Sequence, residues 1–218
     1  MCGRIALIHP EEKKLKQRFN LTKVPKDLKP RYNLSPSQDI PVILNKSPDE
    51  LTLVHWGLIP HWAKEEKTGY NMINARAETI MEKPIFKAPL KHNRCLIIAD
   101  TFYEWKRNSR VKMPYRIMLK DEGLFAFAGI WDRWEKDGKE IISCAIITTV
   151  PNALMKTIHD RMPVILDRDI EREWLSDISV DQAIEFLKSY NSKLMNAYPI
   201  SPLVNSPSNN VPEVIKRI

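Results

Sequence analysis

The sequence predicts an α+β fold, a single domain around a curved, mostly antiparallel, barrel-like sheet with a few peripheral helices. Three observations lead there. Apolar runs rich in β-branched and aromatic residues recur from the start of the chain to Val150. Helical patterning is sparse and gathers late. Strands and helices do not alternate as a parallel α/β sheet requires.

In chain order, a short strand-like start at residues 3–8 precedes a charged amphipathic helix over residues 11–19, where Leu15 and Phe19 fall at i, i+4 spacing. A proline-broken connector follows. Strands are expected over residues 40–44, 51–58, 94–105, 115–119, 124–134 and 141–150, short apolar runs whose side chains suit a pleated, half-buried surface. Helical patterning returns near residues 153–158, 169–175 and 180–190, and in the last of these Ala183, Phe186 and Leu187 share a face. From Tyr198 onward the chain is rich in Pro, Ser and Asn and is expected to wrap the surface or fray. With no repeat, low-complexity block or hydrophilic linker, residues 1–218 read as one domain, its tail from about residue 205 extended or frayed.

Composition narrows the function classes without choosing one. The 34 Lys and Arg exceed the 27 Asp and Glu, a formal net charge of +7 that favours a polyanionic partner without naming it. No stretch approaches the roughly 18 apolar residues of a membrane span, and the N-terminus lacks the basic and apolar regions of a signal peptide, so an intracellular, cytoplasmic protein is expected. Cys2, Cys95 and Cys144 are odd in number and widely spaced, without a C-x-x-C pair, and His9, His55, His61 and His92 stand in no metal-ligand spacing. Neither a disulfide framework nor a metal site nor any other cofactor is expected. Cys95 and Cys144 lie inside apolar runs and read as buried strand residues. Cys2 stands apart.

A small second residue permits removal of the initiator Met1, which leaves Cys2 with a free α-amine beside its thiol. An α-amine has a reference pKa of about 7.7–8.0 against about 10.4 for lysine, so its nucleophilic fraction at neutral pH is larger by roughly two to three hundredfold. It can attack an aldehyde without burial. The neighbouring thiol can then close a five-membered thiazolidine on the imine, with effective molarities on the order of 10⁵ M for such ring closures. The alternative is a small residue at a frayed terminus. Gly3 favours the first reading slightly, because it leaves the backbone beside Cys2 accessible to a ligand.

Three further clusters could carry chemistry. Asn74-Ala75-Arg76-Ala77-Glu78-Thr79 offers an amide to orient a nucleophile and a guanidinium to clamp a phosphate, or else a helix start capped by Asn74 with Arg76 solvated. It follows the stretch 56–62, in which Trp56 reads as core and Trp62 as a platform for an unpaired base. In Phe102-Tyr103-Glu104-Trp105, a carboxylate among aromatics suits a general acid or base, whereas strand alternation could turn Glu104 to solvent. In His159-Asp160-Arg161-Met162-Pro163, His159 can shuttle a proton with Asp160 or a carbonyl setting its tautomer, and Arg161 can meet a phosphate; a structural histidine is the other reading.

Together with Met1-Cys2-Gly3-Arg4, Arg31-Tyr32-Asn33 with Pro36, Trp56-Gly57-Leu58-Ile59-Pro60, Arg94-Cys95-Leu96 and residues 146–149, these segments resemble in order the SRAP family, the SOS response-associated peptidases. Any one motif is weak. The ordered set is specific and spans nearly the whole chain. The resemblance implies a DNA-protein crosslink between Cys2 and the ring-opened aldehyde of an abasic site in single-stranded DNA, after autocatalytic removal of Met1, so both lyase-type and hydrolase chemistry. It implies Cys2 as amine and thiol, Asn74 as its orienting amide, Glu104 and His159 as the acid-base pair, and Arg4, Arg76 and Arg161 as phosphate contacts. A monomer acting at the nucleoid on abasic single-stranded DNA, with replication-fork proteins as further partners, is the corresponding expectation. Some bacterial members carry two adjacent tryptophans after the W-G-x-x-P motif, whereas here Trp62 is followed by Ala63 and a Lys- and Glu-rich insertion over residues 64–68. Two other function classes remain: a cysteine peptidase acting on other proteins through Cys2 and His159, and a non-covalent reader of single-stranded or modified DNA.

Overall fold

The computed structural model describes residues 2–107 and 112–218, the side chains of Tyr70 and Arg107 excepted. In chain order the elements are β1 (Ile5–Leu7), α1 (Glu12–Phe19), β2 (Arg31–Leu34), β3 (Asp39–Leu44), β4 (Leu51–Trp56), β5 (Asn74–Arg76), α2 (Pro84–His92), β6 (Arg94–Ala99), β7 (Thr101–Arg107), β8 (Lys112–Leu119), β9 (Phe125–Lys136), β10 (Lys139–Thr149), β11 (Met162–Pro163), α3 (Glu171–Leu175), α4 (Val180–Glu185) and β12 (Met195–Pro199).

The strands form two sheets. One has five strands in the order β12-β8-β7-β1-β2. In the other, β10, β4, β3, β6 and β9 follow one another and β9 pairs back onto β10, closing a five-stranded barrel. Pairing is antiparallel except where β10 runs parallel to β4 and to β5. Closure leaves the barrel without free edges, and the expected α+β architecture around a curved, mostly antiparallel sheet is the one observed.

Two apolar clusters hold the layers together. One face of the barrel strands supplies Val42, Trp56, Ile97, Phe127 and Ile146, which meet Ile5, Phe102, Ile117 and Met195 of the first sheet. The opposite face supplies Ile43, Leu96, Ile98 and Ile147, which pack with residues of α1 to α4 such as Leu15, Phe19, Leu90 and Trp174. Strand alternation divides the two sets, with Leu96 and Ile98 on one side of β6 and Cys95 and Ile97 on the other. Cys95 and Cys144 are buried as expected.

The apolar run at 94–105, expected as one strand, is two. It changes sheets at Asp100, a buried residue whose carboxylate accepts from the backbone N–H groups of Ile8 (2.6 Å) and His9 (2.9 Å). Those bonds fix the corner from which β7 departs antiparallel to β1. Gly57 sits at another tight place. Its φ of +141° favours glycine, and a Cβ there would lie 2.8 Å from the carbonyl oxygen of Gly69.

Helices are shorter than their patterns. Helix α4 starts with a capping box between Ser179 and Gln182 but ends at Glu185 rather than near 190, and residues 153–158 yield only a 3₁₀ turn at Met155–Thr157. Strand β2, helix α2 and strand β12 were not expected. Helix α2 carries Pro84 in its first turn and Pro89 inside, which breaks its apparent periodicity although Phe86 and Leu90 are buried at i, i+4 spacing. The C-terminal segment is laid on the five-stranded sheet. Val204 and Val214, in 3₁₀ turns at Pro202–Asn205 and Pro212–Ile215, pack with Ala6, Ile8 and Tyr103. Of the two expectations for the tail, wrapping the surface is the one observed past residue 205.

Candidate nucleophile site at the head of the chain

Strand β10 gathers most of the site. Its residue Ile146 lies opposite Asn74, and Thr148 lies opposite Arg76 on one side and Pro163 on the other, so the 74–79 and 159–163 motifs flank one strand. Strand β5 alternates. Ala75 points into the core, while Asn74 and Arg76 share the other face and Arg76 is exposed. The expected helix start at Asn74 is thus a short strand.

Cys2 enters from the other sheet. It is fully buried among the cluster that includes Phe102, Ile146, Ile158 and Met162. Asn74 Nδ2 donates to the Cys2 carbonyl oxygen across 2.8 Å. The other amide atom, Asn74 Oδ1, is buried without a hydrogen-bond partner among the described residues. Burial, and next the negative charge of Glu104, pushes the Cys2 thiol above the ordinary cysteine range. Met1, whose removal would free the α-amine, lies outside the described residues.

Glu104 lies on β7 opposite Tyr115, on the face it shares with Phe102. It is 3% exposed, so alternation turns it inward and not to solvent. Burial raises its carboxyl above the ordinary glutamate range, an effect His159 partly opposes. His159 Nε2 stands 3.8 Å from Glu104 Oε2. His159 Nδ1 is 3.0 Å from both the Arg161 backbone N–H and the exposed Asp160 carboxylate. A neutral ring accepts at Nδ1 from the Arg161 N–H, which puts its proton on Nε2, facing Glu104. An imidazolium could instead donate from Nδ1 to Asp160.

A cleft of about 380 Å³ opens on this pair, lined by Glu104, Trp105, Lys112, His159 and Asn205. The Trp105 indole N–H donates to Asn205 Oδ1 at 2.7 Å. Trp105 stood in a motif without a role; Lys112 and Asn205 carry no motif, and only the fold brings them there. No group of three or more His, Cys, Asp or Glu side chains able to hold a metal occurs among the described residues.

The arginines differ. Arg4 is buried, its Nη1 bonded to Asn33 Oδ1 (2.6 Å) and to the Val204 carbonyl (2.5 Å). Arg161 forms a bidentate pair with Glu78 (2.8 and 2.9 Å) and donates to the Thr148 carbonyl. Arg76 is the one of the three that projects outward. Trp62 is 60% exposed on a pinned loop: His61 N–H donates to the buried Asp132 carboxylate, Ile59 N–H to Ser143 Oγ, and the Trp134 indole to the Ala63 carbonyl. Ala63 points inward among Ile59 and Trp134, so a second large aromatic at this position would meet core and not solvent. The 64–68 insertion is clipped to the β9–β10 hairpin by Lys136 Nζ on the Lys64 carbonyl.

These features define a two-sheet α+β protein whose second residue, a cysteine, is set against an amide, a buried carboxylate and an imidazole. A model of the family described as SOS response associated peptidase (SRAP) matches residues 1–207, and the chain belongs to that family. It is 49% identical to the abasic site processing protein YoqW of Bacillus subtilis over 99% of each chain. It is 50% identical to the abasic site processing protein YoaM of the same organism, over 99% of this chain and 97% of that one. A crystal structure of a protein from Bacteroides thetaiotaomicron, 33% identical, superposes with a TM-score of 0.91 over 100% of both chains. Among the described residues no helix is long and apolar enough to cross a membrane.

Proposed function

We propose that this protein processes abasic sites, as its relatives are named for doing, by forming a covalent thiazolidine between Cys2 and the ring-opened sugar of an abasic site in single-stranded DNA. The observation that carries the reading is the placement of Cys2, its carbonyl held by Asn74 and its sulfur near a buried carboxyl whose affinity for protons is raised. A carboxyl whose hold on its proton is strengthened by burial is suited to proton transfer to and from a reacting group.

The steps balance as follows. Once Met1 is gone, the neutral Cys2 amine attacks the C1′ aldehyde carbon and a carbinolamine forms. Glu104 protonates the hydroxyl, which leaves as water, and the nitrogen lone pair makes the iminium. The Cys2 sulfur then bonds to the same carbon, closing the ring, while its proton passes to the Glu104 carboxylate; His159, with Nε2 toward Glu104, stabilises that charge. Asn74 Oδ1, buried without a partner among the described residues, suits the amine as an acceptor. Arg76 and Trp62 are the outward groups suited to a phosphate and an unpaired base. Arg161 would join them only by exchanging Glu78 for phosphate.

The raised thiol weighs against a peptidase that attacks through a Cys2 thiolate, since only the thiolate is a strong nucleophile. The test is incubation with single-stranded DNA carrying one abasic site. The reading expects an SDS-resistant adduct that Cys2→Ala abolishes. Peptide release from a protein substrate in trans, or salt-sensitive binding with no adduct and no loss in Cys2→Ala, would overturn it.

A further inference from the structure

Asn33 belongs to none of the chemistry above, yet it is 1% exposed and bonds in four directions. Its Oδ1 accepts from Arg4 Nη1 at 2.6 Å, and its Nδ2 reaches the carbonyls of Val204 (3.3 Å), Ser206 (2.9 Å) and Asn209 (2.9 Å). Arg4 Nη1 donates to the same Val204 carbonyl, and its guanidinium lies 5.9 Å from the Trp105 ring centroid. A buried cation and a buried amide thus join β1, β2 and the C-terminal segment at one point.

That point is next to the nucleophile. Arg4 follows Cys2 by two residues, and its carbonyl accepts from Tyr103 N–H at 3.0 Å, one residue before Glu104. Any rotation of Arg4 about its backbone would carry the sulfur away from Glu104. Ahead of β1 the chain is held by Asn74 on the Cys2 carbonyl, by the Tyr103 N–H on the Arg4 carbonyl, and by the Arg4 side chain on Asn33 and Val204. Among the described residues the acceptors of that side chain are neutral amide oxygens, so the geometry is set by directed hydrogen bonds and not by an ion pair that could slide.

We propose that Asn33 is a positioning residue for Cys2: through Arg4 it locks the start of the chain to residues 204–209 and fixes the orientation in which the amine and thiol face the cleft. The inference rests on the crosslinking reading. It predicts a separation of effects, because the hydrogen bonds of Asn33 go to Arg4 and residues 204–209 and not to Arg76 or Trp62. An ångström of misplacement at a reacting group costs on the order of 10²-fold in rate.

The experiment measures two quantities for wild type, Asn33→Ala, Asn33→Asp and Arg4→Lys. One is the first-order rate of adduct formation at saturating abasic single-stranded DNA, counted per mole of chain lacking Met1 as fixed by intact mass. The other is the dissociation constant for the same strand without the abasic site. For Asn33→Ala the adduct rate should fall by roughly 30- to 100-fold with affinity within about threefold. Asn33→Asp, which keeps an acceptor for Arg4, should recover part of the rate. Arg4→Lys keeps the charge but loses the fork between Asn33 and Val204, so it should repeat the slow rate; it carries the comparison if Asn33→Ala does not fold. A wild-type rate in the folded variants, or rate and affinity falling in proportion, overturns the proposal. No adduct from wild type would instead overturn the crosslinking reading.

Discussion

Asn74 holds the carbonyl of Cys2 at 2.8 Å, so an amide on the short strand β5 beside the barrel fixes a residue just ahead of β1 of the other sheet. Asn74→Ala removes this bond and the buried Oδ1 with it. The adduct-forming rate should drop about 30- to 100-fold while binding to intact single strands changes little. Single-turnover gels paired with anisotropy titrations check this.

Burial raises Glu104 above the ordinary glutamate value of 4.5. The unfolded chain then releases its proton at lower pH than the folded one, so this group's contribution to stability is full below 4.5 and is lost as pH rises through the folded value. Glu104→Gln cannot ionise. The melting temperature of the variant relative to wild type should therefore climb as pH rises past the ordinary carboxylate range, then level off. A difference that does not change with pH would contradict the burial argument.

All three cysteines are buried, and burial pushes each thiol upward. Iodoacetamide at neutral pH should label the native protein far more slowly than free cysteine, with all three thiols appearing in denaturant. Fast native labelling at Cys2 would favour thiolate chemistry of the peptidase kind.

Glu78 pairs Arg161 in a fork that a phosphate could also fill, and its carboxyl is held low by that bond. The carboxylate is 42% exposed, so breaking the pair is cheap. Glu78→Gln should raise affinity for single-stranded DNA by up to about fivefold, the scale of an exposed ion pair, and steepen the salt dependence by roughly one charge. Titration at several salt concentrations distinguishes this from an Arg161 with only a structural task, for which affinity would hold or fall.

Trp62 is presented by a loop whose backbone is tied to Asp132, Ser143 and Trp134. If it stacks on a base, Trp62→Ala should weaken strand binding by about 1–3 kcal/mol without slowing adduct formation at saturating DNA.

Much of this was legible in the chain because apolar periodicity and motif order survive folding. Leu15 with Phe19 and the strands 40–44 and 141–150 could be named from sequence, and Cys2, Asn74, Glu104 and His159, far apart in the chain, are brought together in the fold. What failed depended on tertiary contacts. The corner at Asp100 exists because Ile8 and His9 offer it N–H groups. The cover that the C-terminal segment gives Arg4, and the Asn33 amide that takes its guanidinium, likewise had no local signal. Lys112 and Asn205 line the cleft with no local signal, since strand β8 and the last turns reach it only through the fold.

The central claim is tested most directly by the intact mass of the complex with a short strand bearing one abasic site. The account predicts the mass of the chain without Met1 plus the strand, less one water, unchanged by borohydride because a thiazolidine has no imine to reduce. An adduct that retains Met1, one that gains two hydrogens on reduction, or no adduct at all would contradict it.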